Sequence, residues 1–261
     1  MIDIDFENVI NKINSIPKIT FEGKVSKVIG LTVEVEGIKA FVGELCIIHN
    51  NMGAEIQCEV VGFKEDCVIL MPLGELVGVS PGCKVIGKGV PLNVRCSDEL
   101  LGKILDGLGH PIDGEAILDG ENYSLSNEPP DPMKRPRITN IMPTGVRAID
   151  GFLTCGEGQR IGIFAGSGVG KSTTLGMMAR TAEADVNVIA LIGERGREVL
   201  DFIERDLGEE GMKKSVVVCA TSDKSPLVRL KGALTATSIA EYFRDKGKKV
   251  LLMMDSVTRF A

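Results

Sequence analysis

After Gly145 the sequence alternates short apolar runs with longer stretches of helical character. Four apolar runs are strand candidates, at residues 160–165, 186–193, 215–220 and 249–255. Helical stretches near residues 171–183, 196–208 and 226–246 lie between them. Ser225 followed by Pro226 is a typical helix start for the last of these. Strands and helices alternating at this spacing predict an α/β fold with a parallel sheet and right-handed crossovers.

A glycine-rich loop joins the first predicted strand to the first predicted helix. It reads Ala165, Gly166, Ser167, Gly168, Val169, Gly170, Lys171, Ser172 and Thr173, which is a P-loop with alanine in place of its first glycine. The glycines let backbone N–H groups surround phosphate oxygens, and the helix that follows points its positive N-terminus at the anion. Lys171 would contact the outer phosphates, and the Ser172 hydroxyl would bind Mg²⁺. The loop predicts a magnesium-nucleotide site without specifying the reaction.

Two carboxylates follow predicted strands, at the edge where a parallel sheet binds its ligands. Glu194 follows the second strand and could orient or deprotonate a water that attacks the terminal phosphate. Asp255 ends the fourth strand and could hold Mg²⁺ through water. Residues 221–223 end the third strand at the same edge, and our hypothesis for them is a sensing or interface role.

The N-terminal part of the chain has a different organisation. Residues 3–16 carry apolar side chains at helical spacing, which fits a helix packed on its own domain or one that docks a partner. From about residue 19 to residue 90, short Val-, Ile- and Thr-rich runs broken by glycines predict a small barrel or sandwich. The predicted boundaries are an amphipathic helix at 1–18, a small β-barrel at 19–92, a connector at 93–144 and a nucleotide-binding domain at 145–261.

Composition argues against several classes of protein. The 261 residues carry a formal net charge of −6, no Trp and only two Tyr, which disfavours nucleic-acid binding. The seven cysteines are scattered without a CxxC pair, so we expect reduced, mostly buried thiols and no zinc site. No apolar run approaches the roughly 18 residues needed to span a bilayer. We therefore expect a soluble, cytoplasmic protein.

The combined motifs resemble those of flagellar and type III secretion export ATPases, which are relatives of the rotary ATP synthase catalytic subunit. The most specific segments are PTGVRAIDGFLTCGEGQRIGIFAGSGVGKST (143–173), LIGERGRE (191–198), SDKSPLVR (222–229) and DSVTRFA (255–261). The resemblance implies a small N-terminal β-barrel followed by a RecA-like P-loop NTPase core whose parallel sheet is incomplete at the C-terminus.

The resemblance also implies roles for single residues. Glu194 matches the catalytic carboxylate, Lys171 the phosphate-binding lysine and Asp255 the magnesium-side acid of the Walker B strand. Arg195 and Arg259 match family positions close to the phosphates. Family members continue past this strand with an arginine finger and a helical domain, so we interpret the chain as a fragment of a longer protein. We expect the fragment to hydrolyse little, because an arginine from a neighbouring subunit can be worth about 10³–10⁵ in rate.

The implied function is ATP hydrolysis by a homohexameric ring that releases and unfolds chaperone-bound cargo for flagellar or type III export. The implied partners are a stator-like regulatory protein at the N-terminal helix, the export gate, chaperones and cargo. The implied location is cytoplasmic, at the inner face of the cell membrane, with which the protein would associate only peripherally.

Three alternatives remain: a ring subunit that binds nucleotide without hydrolysis, a rotary ATP synthase-type subunit and an RNA-translocating hexamer. Glu194 argues against the subunit that does not hydrolyse. The sequence around the P-loop argues against the rotary ATP synthase-type subunit. The acidic net charge and the few aromatic residues argue against the RNA-translocating hexamer.

Overall fold

The computed structural model describes residues 21–112, 114, 117, 119–166 and 168–260, with the side chain of Phe260 excepted. The chain divides into two compact units, with the boundary between Leu92 and Asn93. The helix predicted within residues 1–18 lies outside the described residues, and so does Ser167 of the P-loop. Among the described residues, no helix combines the length and the apolar character that crossing a bilayer requires.

The first unit contains a closed barrel of antiparallel strands. Its strands are β1 (Glu22–Ile29), β2 (Thr32–Glu36), β3 (Glu44–His49), β4 (Glu55–Lys64), β5 (Cys67–Pro72) and β6 (Lys84–Pro91). They follow the spatial order β1-β2-β5-β4-β3-β6, and pairing of β6 with β1 closes the barrel. Alternate residues fill the interior, where Val33, Val35 and Leu70 are fully buried. Of the two architectures predicted for this region, the barrel is confirmed.

The second unit is built around a parallel sheet. Its strands are β8 (Ile104–Asp106), β10 (Val186–Ile192), β11 (Ser215–Ala220) and β12 (Val250–Asp255), in the order β12-β10-β11-β8. A separate antiparallel pair is formed by β7 (Asn93–Cys96) and β9 (Glu121–Ser124). Every residue of β10 and β11 is buried, as expected for the centre of a parallel sheet. Three of the four predicted strands are thereby confirmed.

Helices connect these strands. They are α1 (Arg147–Phe152), α2 (Lys171–Thr181), α3 (Gly196–Asp201), a π-helical segment (Phe202–Leu207), α4 (Gly208–Lys213), α5 (Pro226–Asp245) and α6 (Val257–Phe260), with 3₁₀ turns at Asp98–Leu100 and Pro132–Lys134. The Ser225 side chain accepts a hydrogen bond from the Val228 backbone N–H, so α5 begins at the predicted cap.

The predicted strand at residues 160–165 is wrong, because residues 160–166 have no regular secondary structure. A strand needs ladder hydrogen bonds and a buried face, and no described strand pairs with this run. Phe164 is 97% exposed and Ile161 45%. The fourth strand of the sheet is instead β8, which comes from the region predicted as the connector 93–144 and pairs with β11.

All seven cysteines lie among the described residues, and all except Cys67 are buried. This confirms the prediction of mostly buried cysteines, and their reduced state stays a prediction. Cys67, at the start of β5, is half-buried.

Candidate nucleotide-binding site

The described part of the P-loop is an open, glycine-lined turn at the start of α2. Gly168 and Gly170 have φ angles of 75° and 96°, a conformation that favours glycine. A Cβ atom placed on Gly166, Gly168 or Gly170 would meet no other atom within 4 Å. Helix α2 begins at Lys171, where its first N–H groups have no partner within the helix. Such a turn leaves room for phosphate oxygens beside backbone donors.

The structure brings Glu194 and Asp255 to the same edge of the sheet. Strands β10 and β12 are parallel neighbours, and Leu191 is the register partner of Asp255. Glu194 follows shortly after Leu191, so both carboxylates lie at the carboxyl ends of their strands. This is the edge at which the sequence analysis placed them, and it is where open α/β sheets bind ligands.

The P-loop lysine forms an ion pair with Asp255. Lys171 Nζ donates a hydrogen bond to Asp255 Oδ1 and joins the loop to β12. The side chain of Asp255 is 9% exposed, whereas that of Lys171 is 32% exposed. An aspartate oxygen and the Ser172 hydroxyl are oxygen ligands of the kind that Mg²⁺ prefers. The residues present therefore fit a magnesium ion held by Ser172 and, through water, by Asp255.

Glu194 is paired with Arg259. Nη1 of Arg259 lies 2.9 Å from Glu194 Oε1, and the same nitrogen donates to the carbonyl oxygen of Gly193. The Glu194 side chain is only 12% exposed. Burial raises the pKa of Glu194, as do its hydrogen bond with Glu198 and the charge of Asp255, whereas Arg259 lowers it. A carboxylate with a raised pKa is better suited to accept a proton near neutral pH.

Arg195 is engaged with Glu198, a residue that the sequence analysis did not single out. Nη1 of Arg195 lies 2.8 Å from Glu198 Oε1, and its side chain is 64% exposed. The hydrogen bond from Arg195 lowers the pKa of Glu198. The signal that could have identified Glu198 is its position one helical turn after Glu194 in the segment GERGRE.

The end of β11 supports the Glu194 backbone. The N–H of Ser222 donates to the carbonyl oxygen of Glu194 at 3.0 Å, and the N–H of Gly193 donates to that of Ala220 at 2.6 Å. The strand ends of β10 and β11 are therefore tied together. The sensing or interface role of residues 221–223 stays a prediction.

The fold and the site define a class: a parallel α/β nucleotide-binding domain with a P-loop, preceded by a β-barrel. Two family models match these two parts of the chain. The nucleotide-binding domain of the ATP synthase alpha/beta family matches residues 145–261, and the beta-barrel domain of the same family matches residues 25–89. Together the matches take in more than half of the chain, which belongs to the ATP synthase alpha/beta family.

Within this family the chain is similar to ATPases of protein export. It is 55% identical over 242 residues to the flagellum-specific ATP synthase of Bacillus subtilis, a match that covers 92% of this chain and 55% of that protein. It is 54% identical over 241 residues to the type 3 secretion system ATPase of Xanthomonas euvesicatoria, covering 92% of this chain and 54% of that protein.

A solved structure of a relative agrees with this placement. The assembled ATPase EscN of the enteropathogenic E. coli type III secretion system superposes with a TM-score of 0.82 at 47% identity, over 91% of this chain and 57% of EscN. The resemblance to flagellar and type III secretion ATPases, predicted from the motifs, is confirmed. The chain spans about half the length of the curated relatives it matches.

Proposed function

We propose that the protein hydrolyses ATP for a flagellar or type III protein export apparatus. The observation that carries this proposal is the polar cluster at the sheet edge, where the carboxylate of Glu194, on a side chain only 12% exposed, lies beside the Lys171–Asp255 pair and the P-loop. The relatives described as a flagellum-specific ATP synthase and a type 3 secretion system ATPase supply the biological setting.

The chemistry follows from the side chains of this edge. ATP would place its phosphates on residues 165–173, and Lys171 would exchange Asp255 for phosphate oxygens. When bound, Mg²⁺ would neutralise part of the phosphate charge. Glu194 would hold the attacking water and take its proton as the new bond to the γ-phosphorus forms and the bond to the bridging oxygen breaks. ADP would leave with the bridging oxygen, and Glu194 would return the proton to solvent.

We further propose that the whole protein works as a homohexameric ring with ATP between subunits and an arginine from the neighbouring subunit completing each site. EscN is described as an assembled ATPase and as a complex with its central stalk EscO. A stator-like protein would bind the helix predicted within residues 1–18. Hydrolysis would release chaperones and unfold cargo at the export gate. The protein would work on the cytoplasmic face of the cell membrane and associate with that membrane only peripherally.

The test is phosphate release by the full-length protein, measured against protein concentration. The variants are Glu194→Gln and, as a control with the same charge change, Glu204→Gln, whose side chain is exposed in the π-helical segment. We expect activity per subunit to rise with concentration, because the site needs a neighbour. Glu194→Gln should lose about 10²–10⁴-fold, the usual contribution of a general base, and still bind ATP. Glu204→Gln should match the wild type.

The main alternative, a ring subunit that binds nucleotide without hydrolysis, predicts a different result. In that case the wild type would bind ATP and release no phosphate at any concentration. That outcome would overturn the proposal.

A further inference from the structure

We infer that Gly176 is a positioning residue, because it sets the distance between the helix that begins at the P-loop and the helical stretch that follows Glu194. The inference rests on the proposed function, since it takes the water held by Glu194 and the phosphates held at Lys171 as the reacting partners. Gly176 would act through the backbone rather than through a contact with ATP.

Gly176 brings helix α2 into backbone contact with the π-helical segment. A Cβ atom placed on Gly176 would lie 2.5 Å from the carbonyl oxygen of Asp206 and 2.7 Å from both its carbonyl carbon and its Cβ. Ordinary van der Waals contacts of a Cβ atom begin at 3.4 Å. Only glycine therefore fits at this position without a displacement of about 1 Å.

The two elements in contact each lead to one side of the candidate site. Helix α2 starts at Lys171, and Gly176 lies in its second turn. The π-helical segment continues helix α3, which begins at Gly196, shortly after Glu194. A change in the spacing of α2 and the π-helical segment therefore changes the distance between the P-loop and Glu194.

The surrounding core leaves this contact little room to yield. Phe202 and Leu207 of the π-helical segment are buried in one apolar cluster with Met178 of α2. Helix α2 is also bonded to β10, where Asn187 Nδ2 donates to the carbonyl oxygen of Ala179 at 2.7 Å. Because protein interiors are close-packed, an added methyl group between two backbones displaces an element and is not absorbed by one side chain.

Such a displacement has a characteristic effect on the reaction. The P-loop moves together with α2, so the bound nucleotide keeps its contacts and KM stays near the wild-type value. The water held by Glu194 moves relative to the γ-phosphate, so the chemical step slows. A misplacement of about 1 Å can cost about 10²-fold in rate.

The experiment measures kcat and KM for Mg-ATP in the full-length protein, with kcat expressed per site that binds ADP so that unfolded protein does not count. We expect Gly176→Ala to lower kcat about 10–10²-fold, with KM within about threefold of wild type. The matched control is Gly151→Ala in helix α1, where an added Cβ would meet no atom within 4 Å. This control should leave both constants unchanged.

Coupling to Glu194 separates positioning from a general loss of packing. In the Glu194→Gln background, Gly176→Ala should change kcat by less than about threefold, because the carboxylate whose distance matters is gone. A general loss of packing would instead lower kcat by the same factor in both backgrounds. The weak variants are measured at high enzyme concentration.

Asp206→Gly in the Gly176→Ala background is the second variant, and it supplies the measurement if Gly176→Ala alone binds no ADP. It removes the Cβ of Asp206, which is one of the crowded atoms, and lets the backbone there yield. Its kcat should lie below that of the wild type and above that of Gly176→Ala.

Four results would overturn the assignment of Gly176. They are an unchanged kcat in Gly176→Ala, a rise in KM alone, equal losses in both backgrounds, and a double variant with Asp206→Gly that is no faster than Gly176→Ala. A wild-type protein that releases no phosphate would instead overturn the proposed function itself.

Discussion

Asn187 at the start of β10 donates a hydrogen bond from Nδ2 to the carbonyl oxygen of Ala179 in α2, at 2.7 Å. The same amide lies 3.2 Å from Ser215 Oγ in β11, and Asn187 is completely buried. One side chain thus joins two strands to the helix that begins at the P-loop lysine.

Replacing Asn187 should destabilise the second unit. Asn187→Ala leaves the carbonyl oxygen of Ala179 without its donor and should lower the free energy of unfolding by about 2–3 kcal/mol. Asn187→Asp should lower it further, because it buries a charge. Urea unfolding measures the difference, with Asn127→Ala as a surface control, since Asn127 is exposed and its amide donates a hydrogen bond to Glu241. A loss below about 0.5 kcal/mol for Asn187→Ala would contradict this account.

Glu44 plays a comparable part in the barrel. Its carboxylate is 3% exposed and accepts backbone hydrogen bonds from Gly89 at 2.8 Å and Phe41 at 3.1 Å. Glu44→Ala should cost about 2–4 kcal/mol, since both N–H groups lose a charged acceptor. Glu44→Gln should cost less, because one oxygen remains. Thermal unfolding of the two variants gives the ranking, and the reverse order would refute it.

Asp150 gives the second unit a pH-dependent contribution to stability. Thr144 Oγ1 and the backbone N–H groups of Thr144 and Gly145 donate to its carboxylate at 2.7, 2.8 and 2.9 Å. The hydrogen bonds from Thr144 come first among the causes that lower the pKa of Asp150. A lowered folded pKa means that the contribution is present above the unfolded value, near pH 4, and is lost as pH falls through the folded value.

The comparison of wild type with Asp150→Asn isolates this effect. The wild type should be the more stable of the two at pH 7 and at pH 5, and the gap should narrow at pH 3. Urea unfolding at the three pH values provides the measurement. A gap that stays constant down to pH 3 would show that the Asp150 charge contributes nothing.

The buried thiols should resist alkylation in the folded protein. Burial raises the pKa of Cys46, Cys58 and Cys96 to about 12, so little reactive thiolate exists at pH 8. Iodoacetamide should label the half-buried Cys67 first, as read by mass spectrometry of peptides. All seven cysteines should react in urea. Labelling of Cys46 at the rate of Cys67 in native protein would be inconsistent with the barrel core.

Much of the second unit could be predicted because parallel strands buried on both faces are continuous apolar runs. β10 and β11 follow this pattern, and β12 is an apolar run although it is only partly buried. The residues after all three strands fall at one edge by geometry alone. Residues 160–165 have the same apolar character, yet periodicity does not reveal whether a partner strand is present. The sequence pattern does not distinguish a barrel from a sandwich, because closure of the barrel depends on pairing β1 with β6, which are far apart in sequence.

The side-chain contacts within the site could not be predicted for the same reason, because they join residues that are far apart in the chain. Arg259 and Glu194 are distant in the chain, and nothing in local spacing indicates that the arginine binds the carboxylate and the Gly193 carbonyl together. Glu198 carried a local signal, but its link to Arg195 depends on how α3 begins. The family resemblance named Arg195 and Arg259 without giving their partners here.

Strand β8 has a consequence for how the second unit is made. It is the edge strand of the sheet, pairs with β11, and precedes the P-loop in the chain. During translation β8 leaves the ribosome before β11 has been synthesised. It therefore stays unpaired while α2, β10 and α3 are made. Long-range parallel pairing is slow and leaves apolar surface open meanwhile. A newly made chain is therefore most vulnerable to aggregation and chaperone capture before Ser215–Ala220 emerges. A recombinant piece that starts at Gly145 would lack β8, so the edge of β11 that pairs with β8 would stay exposed permanently.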